Sequence, residues 1–260
     1  MTDLPDRSDR SDRHRDHYDV TGTGPVLLVV PGGAGHPMGL GPLTAALSAR
    51  FTVVTYDPLG LAHGRLGLPV PEQRVEWWSE GARRVLDAVL PEGEPAYVLG
   101  MSSGGIAALD LLARHPGRLR HVVAHEPPAV TVLPDGARER RDLLRSLGGP
   151  PSSGGEPADP LGVFLTRVVR PFTAYAPDLD ALRARASRLT LAAGSGSRDQ
   201  PPYRTAAFLA GRTGGGFAEL PGGHLGALDH PEEFAEGLAG LLEGTGGGRS
   251  AAACGHLQES

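Results

Sequence analysis

Short apolar runs alternate with longer segments rich in alanine and leucine, and this alternation limits the possible folds of the chain more than any other feature. Several of the short runs are apolar at consecutive positions, as is typical of strands buried on both faces of a parallel sheet. The longer segments have the length of helices that connect such strands. The sequence therefore predicts an α/β fold with a doubly wound, mostly parallel sheet. The predicted strands are 26–30, 51–56, 96–99, 119–124, 189–193 and 217–220, and the predicted crossover helices are 40–49, 75–90, 105–114 and 203–212.

One long segment, 128–188, interrupts this rhythm because it contains no predicted strand. Within it, 138–147 and 161–169 have the pattern of amphipathic helices, and a Gly/Pro/Ser-rich loop separates them. An insertion at the carboxyl edge of a parallel sheet lies over the usual ligand crevice, so we expect a small helical cap. The expected organisation is a disordered charged arm (1–19), a core (20–127 and 189–243), the cap (128–188) and a flexible tail (244–260).

Composition excludes several classes of function. All 25 Lys+Arg residues are arginine, so neither a P-loop nor a Schiff-base lysine is available. The formal net charge of −5 argues against a nucleic-acid partner. The apolar runs are far shorter than the roughly 20 residues that a bilayer span needs, so we expect neither a membrane partner nor a signal peptide. The single cysteine, Cys254, supports no disulfide framework, and we expect no metal site.

The chain carries a G-x-S-x-G motif, which reads G-M-S-S-G at 100–104. The motif directly follows the predicted strand 96–99 and precedes the predicted helix 105–114. A nucleophilic serine on a sharp strand-to-helix turn needs this setting, because small residues on both sides let the backbone turn tightly. Ser102 is therefore the candidate nucleophile.

A serine hydroxyl needs a base to accept its proton before it becomes a strong nucleophile. His224 follows the last predicted strand, which places it on a loop at the same edge of the sheet as Ser102. It also comes after Ser102 in the chain, as the base does in hydrolases with this strand–turn–helix serine. We therefore predict that His224 is the general base.

With these residues in place, the chain resembles the serine hydrolases of the α/β-hydrolase fold, and in particular the small capped actinobacterial members. Between residues 26 and 243 the similarity covers about 200 residues. The segments that carry it are V-P-G-G-A-G at 30–35, T-Y-D-P-L-G at 55–60, G-M-S-S-G-G at 100–105, A-H-E-P-P at 124–128 and P-G-G-H at 221–224.

The resemblance implies further roles. The backbone N–H groups of Gly33 and Ser103 would form an oxyanion hole. The acid that orients His224 has two candidates. Glu126 follows the predicted strand 119–124, and Asp199 lies in the loop after 189–193, which is the commoner place for this acid in the family. We take Glu126 as the acid and keep Asp199 as the alternative.

The chain also departs from the family pattern. After the predicted strand 51–56 the family usually has Asp-x-Arg-Gly-x-Gly-x-Ser, whereas here Leu59 replaces the arginine, and Ala62 and Gly64 replace the later glycine and serine. The expected support of the oxyanion loop is therefore missing.

Two other readings remain open. G-A-G at 33–35 with Asp57 partly matches a dinucleotide-binding fingerprint, but the third glycine position is Met38, preceded by Pro37. A non-hydrolytic enzyme of the same fold, such as a cyclase, lyase or acyl transferase, or a ligand-binding pseudoenzyme, would retain the same residues.

Taken together, the sequence predicts a cytoplasmic serine hydrolase of the esterase, lactonase or thioesterase type. We expect it to need no cofactor and to act on a small, moderately apolar molecule. The oligomeric state is not predicted. The expected substrate pocket is formed by Met101, Phe164, Phe172 and Tyr175.

Overall fold

A computed structural model describes residues 16–37, 39–148 and 156–246 of the chain. Its centre is a seven-stranded sheet in the order β1-β3-β2-β4-β5-β6-β7, in which β1 pairs antiparallel with β3 and the other pairs are parallel. The strands are β1 (His17–Thr21), β2 (Val26–Val30), β3 (Thr52–Asp57), β4 (Ala96–Met101), β5 (Leu119–His125), β6 (Leu189–Gly194) and β7 (Gly216–Leu220).

Helices cover both faces of the sheet. The α-helices are α1 (Gly41–Leu47), α2 (Val75–Val89), α3 (Ser103–Arg114), α4 (Gly136–Ser146), α5 (Pro160–Val163), α6 (Val169–Ala174), α7 (Leu179–Arg183), α8 (Pro201–Thr213), α9 (Gly226–Asp229) and α10 (Pro231–Gly246). A π-helical turn, Phe164–Val168, joins α5 to α6, and short 3₁₀ turns occur at Leu61–His63, Pro116–Arg118, Val130–Val132 and Ala186–Arg188.

The apolar strands are buried on both faces, and this is why their sequences lack a polar alternation. On one face, Val98 of β4 belongs to a core cluster with residues of α2, α3 and α8. On the other face, Leu99 belongs to a cluster with residues of α1 and α10. The predicted doubly wound sheet is confirmed, and each of the six predicted strands is present with its ends shifted by no more than two residues.

The prediction of a disordered arm is wrong for the last residues of 1–19. His17–Thr21 forms β1, and all five of its residues pair with β3. Asp16 also accepts two hydrogen bonds of 2.8 Å from Arg84 of α2. The strand was not expected because edge pairing through backbone groups needs little apolar content. The rest of the predicted arm, 1–15, lies outside the described residues.

The predicted flexible tail is also wrong at its start, because α10 continues to Gly246. The remainder of the tail, 247–260, lies outside the described residues, as does 149–155 of the loop within the predicted cap. Within the described ranges, no helix has both the length and the apolar character needed to cross a membrane.

The segment between β5 and β6 is helical, as predicted, and contains α4 to α7. Part of it packs directly into the core. Phe172 of α6 is fully buried, and its ring centroid lies 4.7 Å from that of Trp78 in α2. Leu182 of α7 is fully buried in the same cluster. This segment is therefore continuous with the helical layer on one face of the sheet.

Candidate active site

Ser102 lies on a sharp turn between β4 and α3, with φ 51° and ψ −118°. The turn brings glycines against neighbouring backbone. A Cβ at Gly104 would lie 2.1 Å from the carbonyl oxygen of Val30, and a Cβ at Gly100 would lie 2.4 Å from that of Gly104. No side chain fits at either position without moving β2 or α3. The motif predicted as a strand–turn–helix element therefore has that conformation.

A chain of hydrogen-bonding contacts links three of the predicted site residues. Ser102 Oγ lies 3.1 Å from His224 Nε2, and His224 Nδ1 lies 2.7 Å from Glu126 Oε2. A proton on Nδ1 lets His224 donate to the carboxylate, and Nε2 is then free to accept the Ser102 hydroxyl. His224 keeps 30% of its side-chain surface exposed, so the imidazole is in contact with solvent.

Glu126 is completely buried. Its Oε1 accepts a hydrogen bond of 2.8 Å from the Gly194 N–H and a second, short one from the Ser197 hydroxyl. Burial alone would raise the pKa of Glu126, but the hydrogen bonds from His224, Ser197 and Gly194 outweigh it and hold the pKa below its usual range. The carboxyl group is therefore charged at neutral pH.

Ser102 and Glu126 share an unusual backbone conformation. Their φ angles are 51° and 44°, and among the described residues they are the non-glycine residues with positive φ. Such conformations cost free energy and persist only where surrounding contacts impose them. For Glu126, one such contact is the hydrogen bond of 2.9 Å from its N–H to the Ala192 carbonyl of β6. Backbone strain is thus concentrated at two of the three linked residues.

The predicted oxyanion donors lie on the two segments beside Ser102. A Cβ at Gly32 would lie 3.0 Å from Ser102 Cβ, so the turn after β2 passes directly against the serine. The next residue, Gly33, has φ 58° and open space where a side chain would project. Ser103 is the first residue of α3, where backbone N–H groups have no partner within the helix. Their role in binding an oxyanion stays a prediction.

The alternative acid, Asp199, is exposed on the loop after β6. The structure therefore brings Glu126 to His224 and leaves Asp199 on the surface. The same loop contributes Ser197, which the sequence did not single out. A serine in a Gly/Ser-rich loop carries no signal in its residue type, and only the position of Glu126 gives this one a partner.

The predicted pocket residues are in different surroundings. Phe172 is fully buried against Trp78, and Tyr175 donates a hydrogen bond of 2.5 Å to the buried Asp110. The prediction that Phe172 lines the pocket is wrong because core packing occupies its side chain. Tyr175 is only partly buried, and its place in the pocket stays a prediction. Met101 is 7% exposed and packs in the core cluster that contains α1 and α10. Phe164 is half-buried.

Apolar contacts support the turn that carries Gly33, where the family usually has an arginine. Ala34 is buried in a small cluster whose other members include Phe164, partly buried, and the Leu59 that stands in the arginine position. The cluster is completed by Leu61, Val70 and Val163. Asp57 accepts hydrogen bonds from the N–H groups of Leu61 and Ala62, at 3.0 and 2.8 Å, which hold the loop after β3 in place.

A parallel sheet with a serine at a strand–turn–helix elbow, hydrogen-bonded to a histidine and an acid from later strands, is the arrangement of the α/β-hydrolase class. The sequence model of the alpha/beta hydrolase family matches residues 26–237. The chain therefore belongs to the alpha/beta hydrolase family.

Comparisons with individual proteins are consistent with this family. The chain is 31% identical over 251 residues to the uncharacterized hydrolase YraK of Bacillus subtilis, covering 87% of this chain and 92% of that protein. Its fold is similar to that of carboxylesterase CesB from B. subtilis (TM-score 0.57, 20% identity, 88% of each chain). It is also similar to that of the enol-lactonase from Burkholderia xenovorans (TM-score 0.58, 20% identity, 88% of this chain and 96% of the other).

Proposed function

We propose that the protein is a serine hydrolase that cleaves an ester, lactone or thioester of a small, moderately apolar molecule through an acyl-enzyme on Ser102. The observation that carries the proposal is the continuous hydrogen-bonding chain from Ser102 Oγ through His224 to Glu126, with separations of 3.1 and 2.7 Å. Nucleophile, base and orienting acid within hydrogen-bond reach of one another are the requirement for this chemistry.

Acylation begins when Ser102 Oγ attacks the substrate carbonyl carbon and His224 Nε2 takes the hydroxyl proton. The carbonyl oxygen becomes an oxyanion, for which the N–H groups of Gly33 and Ser103 are the proposed donors. Each such donor contributes about 3 kcal/mol to the stability of the transition state. When the tetrahedral intermediate collapses, the bond to the leaving group breaks and His224 returns its proton to that group.

Deacylation repeats these steps with water as the nucleophile. His224 removes a proton from the water, hydroxide adds to the acyl carbon, and the proton returns to Ser102 Oγ as the acid product leaves. Throughout, Glu126 remains ionised, keeps the Nδ1–H tautomer of His224 and stabilises the imidazolium that forms in each half-reaction. The lowered pKa of Glu126 suits this role, because a neutral carboxyl group could not stabilise the cation.

The helical segment between β5 and β6 is proposed to act as the cap over the substrate. Its Phe164 packs in the same cluster as Ala34, which directly follows Gly33. A substrate acyl group bound beside Gly33 would therefore meet the apolar side chain of Phe164. This is the basis for proposing a moderately apolar acyl group. The esterase and lactonase names of the two similar structures fit this range of substrates.

The test is turnover of a graded set of substrates by wild type and Ser102→Ala. The set contains p-nitrophenyl esters of two to twelve acyl carbons, aliphatic lactones and an acyl thioester. The proposal expects turnover of at least one class by wild type and a loss of roughly 10³-fold or more in Ser102→Ala. It also expects one acyl group per chain, located on Ser102, in rapidly quenched samples. Equal turnover by the two proteins would overturn it.

A further inference from the structure

The carboxylate of Glu126 has two distinct sides. Oε2 faces His224 Nδ1, whereas Oε1 faces the loop after β6, where it accepts hydrogen bonds from the Gly194 N–H and the Ser197 hydroxyl. Ser197 is 1% exposed, so its hydroxyl is withdrawn from bulk water. Both oxygens of Glu126 thus have partners within the protein.

The hydroxyl of Ser197 has one proton and two acceptors within reach. One is Glu126 Oε1, and the other is the Gly194 carbonyl at 2.9 Å. A charged carboxylate is the stronger acceptor, so the proton goes to Glu126. The interaction is therefore a charge-assisted hydrogen bond in a buried setting. Losing such a bond costs more free energy there than at the surface.

The loop that holds Ser197 is itself fixed. The Ser197 N–H donates to the Gly194 carbonyl at 3.0 Å, and the Gly196 N–H donates to the Gly222 carbonyl at 2.7 Å. Gly222 lies two residues before His224. The same loop therefore contacts both the side chain of Glu126 and the segment that carries His224. It thereby fixes the position of the carboxylate relative to the imidazole.

We propose that Ser197 is a positioning residue of the reaction: together with the Gly194 N–H, its hydroxyl fixes Oε1 of Glu126 so that Oε2 meets His224. Without these donors the carboxylate could turn about its terminal bond and lose the alignment with Nδ1. The mechanistic part of this inference rests on the proposed serine-hydrolase function, whereas the interaction between Ser197 and Glu126 is independent of it.

The groups that face Glu126 come from each element around it. His224 lies after β7, Ser197 and Gly194 belong to the end of β6 and its loop, and the buried His125 precedes Glu126 at the end of β5. Burial raises the pKa of Glu126, and the hydrogen bonds from His224, Ser197 and Gly194 lower it. Removing the Ser197 hydroxyl takes away one of these effects, so the pKa of Glu126 should rise.

The experiment compares Ser197→Ala and the near-isosteric Ser197→Cys with a matched control, Ser195→Ala. Ser195 lies in the same loop but is exposed, and its backbone N–H bond to Leu220 does not depend on its side chain. The first readout is the titration of the ¹³C carboxyl signal of Glu126, which needs no activity. The second is the pH dependence of the rate at which a fluorophosphonate probe modifies Ser102.

We expect Glu126 in Ser197→Ala to titrate about one pH unit higher than in wild type. We expect the probe rate to fall roughly tenfold across the pH profile, because a misaligned carboxylate no longer holds the Nδ1–H tautomer of His224. Because a thiol is a weaker donor than a hydroxyl, Ser197→Cys should fall between Ser197→Ala and wild type in both readouts. Ser195→Ala should match wild type.

The inference is overturned if the Glu126 titration and the probe profile of Ser197→Ala coincide with those of wild type. It is also overturned if Ser195→Ala shifts them equally. If Ser197→Ala does not fold, an unshifted titration in Ser197→Cys overturns it in the same way. Failure of wild type to react with the probe would instead contradict the proposed function, and the carboxyl titration would still decide whether Ser197 fixes Glu126.

Discussion

Glu126 Oε2 lies 2.7 Å from His224 Nδ1, although the two residues are 98 positions apart in the chain. The contact forms because Glu126 follows β5 and His224 follows β7, and the carboxyl ends of parallel strands meet at one edge of the sheet. The strand between them, β6, supplies the loop that holds the other oxygen of the carboxylate. The ends of three strands thus bring Glu126 and His224 together.

The choice of acid gives the first prediction. Glu126→Gln should lower kcat roughly 10³- to 10⁴-fold, because a neutral amide neither fixes the tautomer of His224 nor stabilises its cation. Asp199→Asn, a matched change in the neighbouring loop, should stay within twofold of wild type because Asp199 is exposed. Steady-state kinetics on the best ester found in the substrate set measures both. A large loss in Asp199→Asn with Glu126→Gln near wild type would show that the acid is Asp199.

The site illustrates what the sequence can and cannot predict. The position of Ser102 on a strand–turn–helix elbow could be predicted from the sequence, because the elbow is a local motif. Its glycines and the flanking strand and helix are contiguous in the chain. For the acid, the sequence favoured Glu126 but left Asp199 open, because the two carboxylates follow different strands and only the three-dimensional position of His224 selects between them. Phe172 was wrongly assigned to the pocket for a related reason. An apolar or aromatic residue in a cap segment is equally suited to a pocket and to the core, and the sequence pattern is the same.

The second prediction concerns the glycines of the elbow. Gly104→Ala should destabilise the fold by several kcal/mol, because its Cβ would lie 2.1 Å from the carbonyl oxygen of Val30 and a strand would have to move. Gly211→Ala is the matched control. It lies in α8 with no atom near the added Cβ, so it should stabilise the helix by about 0.5–1 kcal/mol. Urea unfolding measures both, and equal stabilities in the two variants would contradict the geometry described for the elbow.

The third prediction concerns the N-terminal strand. Deleting 1–21 should lower Tm by roughly 5–10 °C, because it removes β1 and the two hydrogen bonds between Asp16 and Arg84. Deleting only 1–15 should leave Tm within about 1 °C of wild type, since β1 then remains. Differential scanning calorimetry compares the two deletions. Identical Tm values in both would show that β1 contributes nothing to stability.

β1 is the strand that could not be predicted from the sequence. The central strands are recognisable by their continuous apolar runs, whereas His17–Thr21 is mostly polar and its Val20 is 52% exposed. β1 is a strand because its backbone pairs with β3, and this pairing does not require a particular residue composition in β1.

The fourth prediction is that the folded protein loses stability at acidic pH because two of its histidines are buried. Burial lowers the pKa of His121 to about 4, and it lowers that of His125 to about 4 despite the charge of Glu126 nearby. The unfolded chain takes up these protons near pH 6.5, so it binds more protons than the folded protein between pH 6.5 and 4. Stability should therefore be full above pH 6.5 and decline as pH falls, by up to about 1.4 kcal/mol per pH unit for each histidine.

Urea unfolding between pH 7.5 and 4.5 measures this decline. His121→Gln should flatten it by about half, because Gln can keep a hydrogen bond to Thr190 without titrating. The exposed His230 provides the control, and His230→Gln should leave the slope unchanged. The lowered pKa of Glu126 adds its own loss of stability only below its ordinary value of 4.5. Constant stability across this pH range would contradict the assignment of both histidines as neutral.

The most direct test of the central claim is covalent labelling with a fluorophosphonate, because this reagent modifies a serine only where a base has activated it. We predict stoichiometric modification of wild type, located at Ser102 by mass spectrometry of the digested protein, and none in Ser102→Ala. His224→Gln should react more slowly by roughly 10³-fold. If folded wild type stays unlabelled, or if Ser102→Ala is labelled equally, Ser102 is not an activated nucleophile and the proposed hydrolase mechanism is wrong.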